Sequence, residues 1–557
     1  MNPATTTATT PDTPPARRRG TLTGSGTLLR LALRRDRVRL PLWILGLTGF
    51  LVASAVGLGD VVPDARARAT RAELMSSPTI RALRGPGYGL DDYTYGAMIA
   101  HELLLFGAVG VALMSLLLLS RHTRAEEEAG RTELLRSGVL GRHAALFAGL
   151  GVAVVANLAV AAATTLGLLA TIGELDTTGA VVFGLSLAAA GIVFAAVGAV
   201  CAQLGEDTRT VNGIAGVVLA TAFMVRAIGD AGGVDDRGLS WFSPLGWTQA
   251  TRPFVDERLW PLALSVGLAL ALLAVAIMLA NRRDLGAGLV PPRPGPATAT
   301  DALVRPSGLA WRLQRRSLFG WMLGACALGA SFGAIIGDID TFLDQNPQLI
   351  DIIGAGSGRL LDAFLATVML LIALLATGFA LQAAIRLHVE ETGGRAEPLL
   401  AAALSRTRWA AGHLAVSLVG GSLVACAGGL GLGVAAALDQ GDPGLVGSML
   451  AAGAAYSPAI WFTVGLVVAV YGLGAGAVGI GIGWLVVAYG TFVGLLAEVL
   501  DLPDALRGLS PYHHVPDLAG ASIDLAGFGA LGGLTALAVI LVGAGLFGLA
   551  RRDLHTT

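Results

Sequence analysis

Long apolar runs, each the length of a membrane crossing, alternate along this chain with short polar stretches in which arginine recurs. A helix needs roughly 20 apolar residues to cross a hydrocarbon layer of about 30 Å. Twelve runs meet that length: residues 41–59, 98–120, 144–172, 179–203, 212–230 and 259–281, then 317–337, 361–384, 409–438, 445–470, 475–499 and 527–549. None alternates apolar with polar at period two, as a barrel strand would, and Gly and Ala recur inside them, which lets helices approach closely in lipid. The pattern predicts an all-α fold: a polytopic helical membrane protein with about 12 transmembrane helices. Six spans per half keep both halves in one orientation, so a duplication would give two parallel six-helix repeats related by an axis along the membrane normal.

The polar segments test for duplication best, because they escape the general apolar bias. LALRRDRVRLPLWILG (31–46) matches LAWRLQRRSLFGWMLG (309–324) without gaps at eight of 16 positions, among them Arg34 with Arg312 and Trp43 with Trp321. After the second span of each half, EEAGRTELLRSGVLGR (127–142) matches ETGGRAEPLLAAALSR (391–406) at seven of 16, including Gly130 with Gly394, Arg131 with Arg395 and Glu133 with Glu397. A Ser-Pro pair, Ser243-Pro244 and Ser510-Pro511, precedes the last span of each half. The domains predicted are a disordered cytoplasmic tail at 1–27, a first half at 28–281, a linker at 282–306 and a second half at 307–553.

Composition agrees with a membrane protein: 54% of residues are hydrophobic and 14% charged, with a mean hydropathy of +0.69. All 38 basic residues are arginines, and 27 of them fall on the side that holds the N-terminus. The positive-inside rule then predicts a multi-pass plasma-membrane protein with both termini in the cytoplasm. Nothing in the net charge of -1 suggests a nucleic-acid partner. With no lysine the chain has no standard phosphate-binding loop, so the glycine-rich run at 472–483 reads as helix packing. No catalytic constellation, cofactor motif or metal-ligand spacing is visible; Cys201, Cys326 and Cys426 lie in apolar runs, and adjacent His513 and His514 point apart.

The segment after span two combines a run of three glutamates with leucines at helical spacing, predicting a short amphipathic cytoplasmic helix whose acidic face suits a basic protein partner better than anionic lipid. With the arginine-rich approach to span one and the Ser-Pro turns, it resembles the permeases of the type-2 ATP-binding-cassette exporter family. The likeness is to the fused, tetronasin-type members of actinobacterial polyketide-antibiotic and multidrug efflux systems. The resemblance implies an exporter subunit rather than an enzyme, moving a small hydrophobic or amphipathic compound. It further implies a separate ATPase subunit, in two copies per chain, that holds ATP and magnesium.

On this resemblance Glu127 to Leu140 and Glu391 to Leu404 are coupling helices, with Glu127, Glu128, Gly130, Arg131 and Glu133, and Glu391, Gly394, Arg395 and Glu397, as docking residues. Thr392 replaces Glu128, and Pro398, replacing Leu134, is expected to end or kink the second helix early. Ionisable residues in the runs are few. His101 and Glu102 are expected near the membrane interface, as are Arg226 and Glu498, which stand at comparable outer ends and are candidates for an outer gate. A proton-coupled carrier of the major facilitator type is the alternative for 12 spans, but its loop after span two would be led by Gly and Asp-Arg rather than by glutamates.

Overall fold

A computed structural model describes residues 20–136, 140–231, 238–284, 286–290, 297–334, 336, 357–401, 404–497, 502–516 and 525–552. Among them every regular element is helical. The chain divides into two compact units, Met1–Pro294 and Gly295–Thr557.

The first unit contains α1 (Ser25–Arg35), α2 (Arg39–Val61), α3 (Ala65–Met75), α4 (Pro78–Arg84), α5 (Tyr95–His122), α6 (Arg124–Glu128), α7 (Arg131–Arg136), α8 (Ala144–Thr171), α9 (Thr177–Leu204), α10 (Thr208–Ala231), α11 (Pro244–Ala250) and α12 (Trp260–Arg282). α5 and α9 are buried along most of their length and form the core with Leu104, Met114, Phe183 and Phe194. α2, α10 and α12 lie outside them with Leu42, Val217 and Leu270 exposed, as helices facing lipid do. Polar side chains stop the long helices at their starts. The Thr94 hydroxyl accepts from the Ala97 amide at 3.2 Å, and Asp176 accepts from Gly179 at 2.7 Å. Ser243 does the same for α11, with Pro244 at the first helical position where no amide is needed.

The second unit repeats this plan as α13 (Pro306–Gly333), α14 (Ser357–Thr392), α15 (Ala396–Ala401), α16 (Arg406–Gln440), α17 (Gly444–Ala455), α18 (Ser457–Gly472), α19 (Gly476–Leu496) and α20 (Leu525–Arg551). α14 and α18 are its buried helices, while α19 and α20 are mostly exposed.

Eleven helices among the described residues are long and apolar enough to cross a membrane. The remaining run, predicted at 317–337, begins inside α13 and reaches past the described residues at 335 and 337. In the first unit the amphipathic approach and the span are separate helices: Pro41, in the first turn of α2, has no amide for the Arg37 carbonyl, and at the break the buried carboxylate of Asp36 is held by His122 (2.7 Å) and Arg121 (3.2 Å). In the second, Phe319 stands at the place of Pro41 and Gln314 at that of Asp36, bonding His413 at 3.2 Å, and the helix runs on unbroken. Two stretches assigned to the tail and the linker also pack on the first unit. Gly141 and His143 donate to the Thr23 and Thr21 carbonyls, and Leu289 and Val290 donate to Gln203 and Leu204.

Candidate functional site: paired glutamate–glycine–arginine turns

In each unit the end that carries the connection after the second span is the turn face here, and the opposite end the far face. α5 continues past a one-residue break into α6 and stops at Ala129. Gly130 then takes a left-handed backbone, φ +68°, which a residue without a Cβ adopts freely, and Arg131 opens α7. The guanidinium of Arg131 closes the turn on Glu126 through two bonds, Nε to Oε2 at 2.6 Å and Nη2 to Oε1 at 3.1 Å, and Arg35 of α1 reaches the same carboxylate.

Glu127, one residue on, points inward. It accepts from Arg283 at 2.7 and 3.0 Å, just beyond the end of α12, and from Arg124 at 3.0 Å. Arg124 is fully buried and is spent on satisfying carbonyls: its Nε donates to Ala202 in the last turn of α9 (2.6 Å) and its Nη2 to Ala287 (3.0 Å). Glu128 caps α10, accepting from the Thr208 amide and from its hydroxyl at 2.9 Å. The three glutamates therefore tie α1, α12 and α10 to the end of the second span.

The second unit builds the same turn. Gly394 has φ +67°, and Arg395 Nε reaches Glu390 Oε2 at 2.9 Å. Glu391 accepts from Arg552, just beyond α20, at 2.7 and 2.8 Å, and from the Tyr471 hydroxyl. Thr392 bonds its own helix at His388 (2.8 Å) and caps nothing, so the connection that Glu128 makes in the first unit is missing here.

The family model of the multidrug efflux system permease Rv1217c, C-terminal domain, matches residues 26–279 and 303–549. The multidrug efflux system permease protein Rv1217c of Mycobacterium tuberculosis is 41% identical over 543 residues, which cover 96% of each chain. The chain belongs to this family of efflux permeases.

In this permease the predicted coupling helices are each divided. Glu127 and Glu128 ride on the extension of the second span, and the helix after the glycine turn is described over Arg131–Arg136 in the first unit and Ala396–Ala401 in the second, with residues 137–139 and 402–403 outside the described residues. Pro398 does not end the second one; it sits in the first turn of α15, where its missing amide costs nothing. Glu127 and Glu391 are largely buried, whereas Glu128, Arg131, Glu133, Arg395 and Glu397 are exposed. Glu126, Glu390, Arg283 and Arg552 were missed in the sequence. Their signal was present as a glutamate one position before each matched segment and as RRDL after the last span of each half, Arg282–Leu285 and Arg551–Leu554.

The described charges of the apolar runs are enclosed by protein. Arg226 is wholly buried, paired with Asp230 at 3.3 Å and donating to the Ala82 carbonyl at 2.7 Å; Glu498 lies outside the described residues. Glu102 is 3% exposed and takes Arg71 of α3 and Arg84 of α4, the two short helices that fold over the far face, each at 2.5 Å. Its hydrogen bond raises the Arg71 pKa, while burial, with Glu102 adding to it, pushes the nearby Tyr93 phenol well above the usual tyrosine range.

Proposed function

We propose that this permease is the membrane subunit of a type-2 ATP-binding-cassette exporter, with its turn faces in the cytoplasm and one ATPase subunit docked at each glutamate–glycine–arginine turn. ATP and magnesium belong to that partner. The observation that carries this reading is the recurrence of one geometry in two units on the side richest in arginine. Each copy presents an exposed arginine and glutamate, Arg131 with Glu133 and Arg395 with Glu397, beside a glycine at left-handed φ. Nucleotide-driven closure of the two ATPases would push both turns and, through the second spans, rock each six-helix half. The cargo is a hydrophobic or amphipathic compound moved outward. An open cavity of about 860 Å³ on the far face of the first unit joins Tyr93, Tyr95 and Phe254 to the carboxylates Asp60, Asp91 and Glu174; it is drug-sized, and its mixed lining suits an amphipathic compound better than a purely apolar one.

Co-expression with an ATPase subunit from the same system, followed by affinity purification through the permease, tests this. A complex that hydrolyses ATP is expected. Glu133→Arg with Glu397→Arg changes exposed charges and is expected to lower ATPase recovery about tenfold while the permease accumulates normally. Recovery of no ATPase by the unaltered permease overturns the proposal.

A further inference from the structure

In both units the last helix is held to the second span by one arginine just past its C-terminus. The pairs Arg283 with Glu127 and Arg552 with Glu391 join residues 156 and 161 positions apart, and both have a shortest separation of 2.7 Å. They are nearly dry: the side chains of Arg283 and Glu127 are 9% and 12% exposed, those of Arg552 and Glu391 14% and 4%. α12 and α20 are among the least buried helices of their units. Their turn-face ends are also held by Arg142, which donates to the Ala280 and Asn281 carbonyls at 3.0 and 2.9 Å, and by the close approach of Gly545 and Gly548 to α18; Arg283 and Arg552 add the tie to the second span itself.

Each glutamate also has a second partner that does not come from the last helix. Glu127 keeps buried Arg124 if Arg283 leaves, and Glu391 keeps the hydroxyl of Tyr471 if Arg552 leaves. Arg283 in turn keeps the Ala287 carbonyl at 3.1 Å, and Arg552 lies over the Tyr471 ring at 4.8 Å. When the pair opens, Glu127 stays paired with the Arg124 cation and is spared the unpaired buried charge that makes breaking such a pair expensive, whereas Glu391 keeps only a neutral hydroxyl as donor, so the second pair opens at the higher cost. A rigid brace would lack these reserves.

From this we infer that the Glu127–Arg283 and Glu391–Arg552 pairs are releasable latches that pass movement of the two turns to the last span of each half. Glu127 lies within three residues of Gly130 and Glu391 within three of Gly394, so a force that tilts either turn acts directly on its latch. Arg283 and Arg552 are positioning residues: they set where the last helix sits, without being required to contact cargo. The inference rests on the docking role proposed for the turns.

The test is the double variant Arg283→Gln with Arg552→Gln, assayed for ATPase association, ATP hydrolysis and efflux per folded permease. Association is expected to persist, because Glu126–Arg131 and Glu390–Arg395 still close the turns. Hydrolysis is expected to continue, while maximal efflux falls about tenfold with little change in the half-saturating drug concentration, the size of a typical coupling between sites. Arg283→Lys with Arg552→Lys restores the charge and is expected to recover most of the efflux. Efflux per folded molecule equal to wild type in the Gln variant overturns the latch, as does a fall explained entirely by lost protein. If the wild-type permease binds no ATPase, the docking role fails on that observation, and the latch is judged by efflux per folded molecule alone.

Discussion

Gly329→Val is expected to leave almost no monodisperse permease after detergent extraction. α13 and α16 cross at a backbone-to-backbone approach, where a Cβ at Gly329 would fall on the Gly428 carbonyl oxygen and one at Gly431 on that of Cys326. Gly333, four residues after Gly329, meets Leu432 and Ala435 in the same way. In lipid there is no hydrophobic drive to press two apolar helices together, so close packing of small residues supplies the attraction. A branched side chain must push the helices apart, at a cost of about 3 kcal/mol or more. Gly320→Ala and Gly324→Ala are the controls. A Cβ at either meets nothing within 4 Å, so both variants are expected to extract and melt like wild type. Normal yield of the Gly329→Val variant would refute the crossing.

The second large effect concerns the far face of the first unit. Glu102→Ala removes the shared acceptor of Arg71 and Arg84 and leaves two guanidinium groups, each about a quarter exposed, without it. Breaking a buried pair by deleting one partner costs roughly 3 kcal/mol, toward the low end because both arginines keep some access to water. The thermal melt of the purified permease in detergent is expected to fall markedly, and Glu102→Gln, which still accepts hydrogen bonds, to recover part of the loss. An unchanged melt in the Ala variant would show that the short helices over the far face are held by other contacts, such as Gln249 to the Arg84 carbonyl at 2.5 Å.

These two sites illustrate what the sequence could and could not display. Apolar length is a local property, so the membrane helices were legible, and the turns were marked because Gly130, Arg131 and Glu133 match Gly394, Arg395 and Glu397 in one ungapped register. The inward role of Glu127 was not legible, since its partner lies 156 residues away and an acidic run reads the same whether solvated or latched. The pairing of Glu102 with Arg71 and Arg84 was not legible either, because those arginines stand on the short helices α3 and α4, whose apolar pattern gives no signal that would aim them at it. The separation of α1 from α2, against the unbroken α13, is written in the sequence at Pro41, where the second half has Phe319, because proline has no amide for the carbonyl four residues before it. The pairing of Asp36 with His122 and of Gln314 with His413 is not, because each partner lies on a distant helix.

The turns are central to this account, and cross-linking tests them most directly. In a permease whose Cys201, Cys326 and Cys426 are replaced by alanine, single cysteines introduced as Glu133→Cys or Glu397→Cys present a thiol beside each turn, and Thr178→Cys presents one on the far face. With a short bifunctional reagent and the co-expressed ATPase in membranes, both turn positions are expected to give a permease–ATPase adduct that strengthens with nucleotide, and position 178 none. Adducts from position 178 as strong as those from 133 and 397, or none from either turn, would contradict docking at the glutamate–glycine–arginine turns.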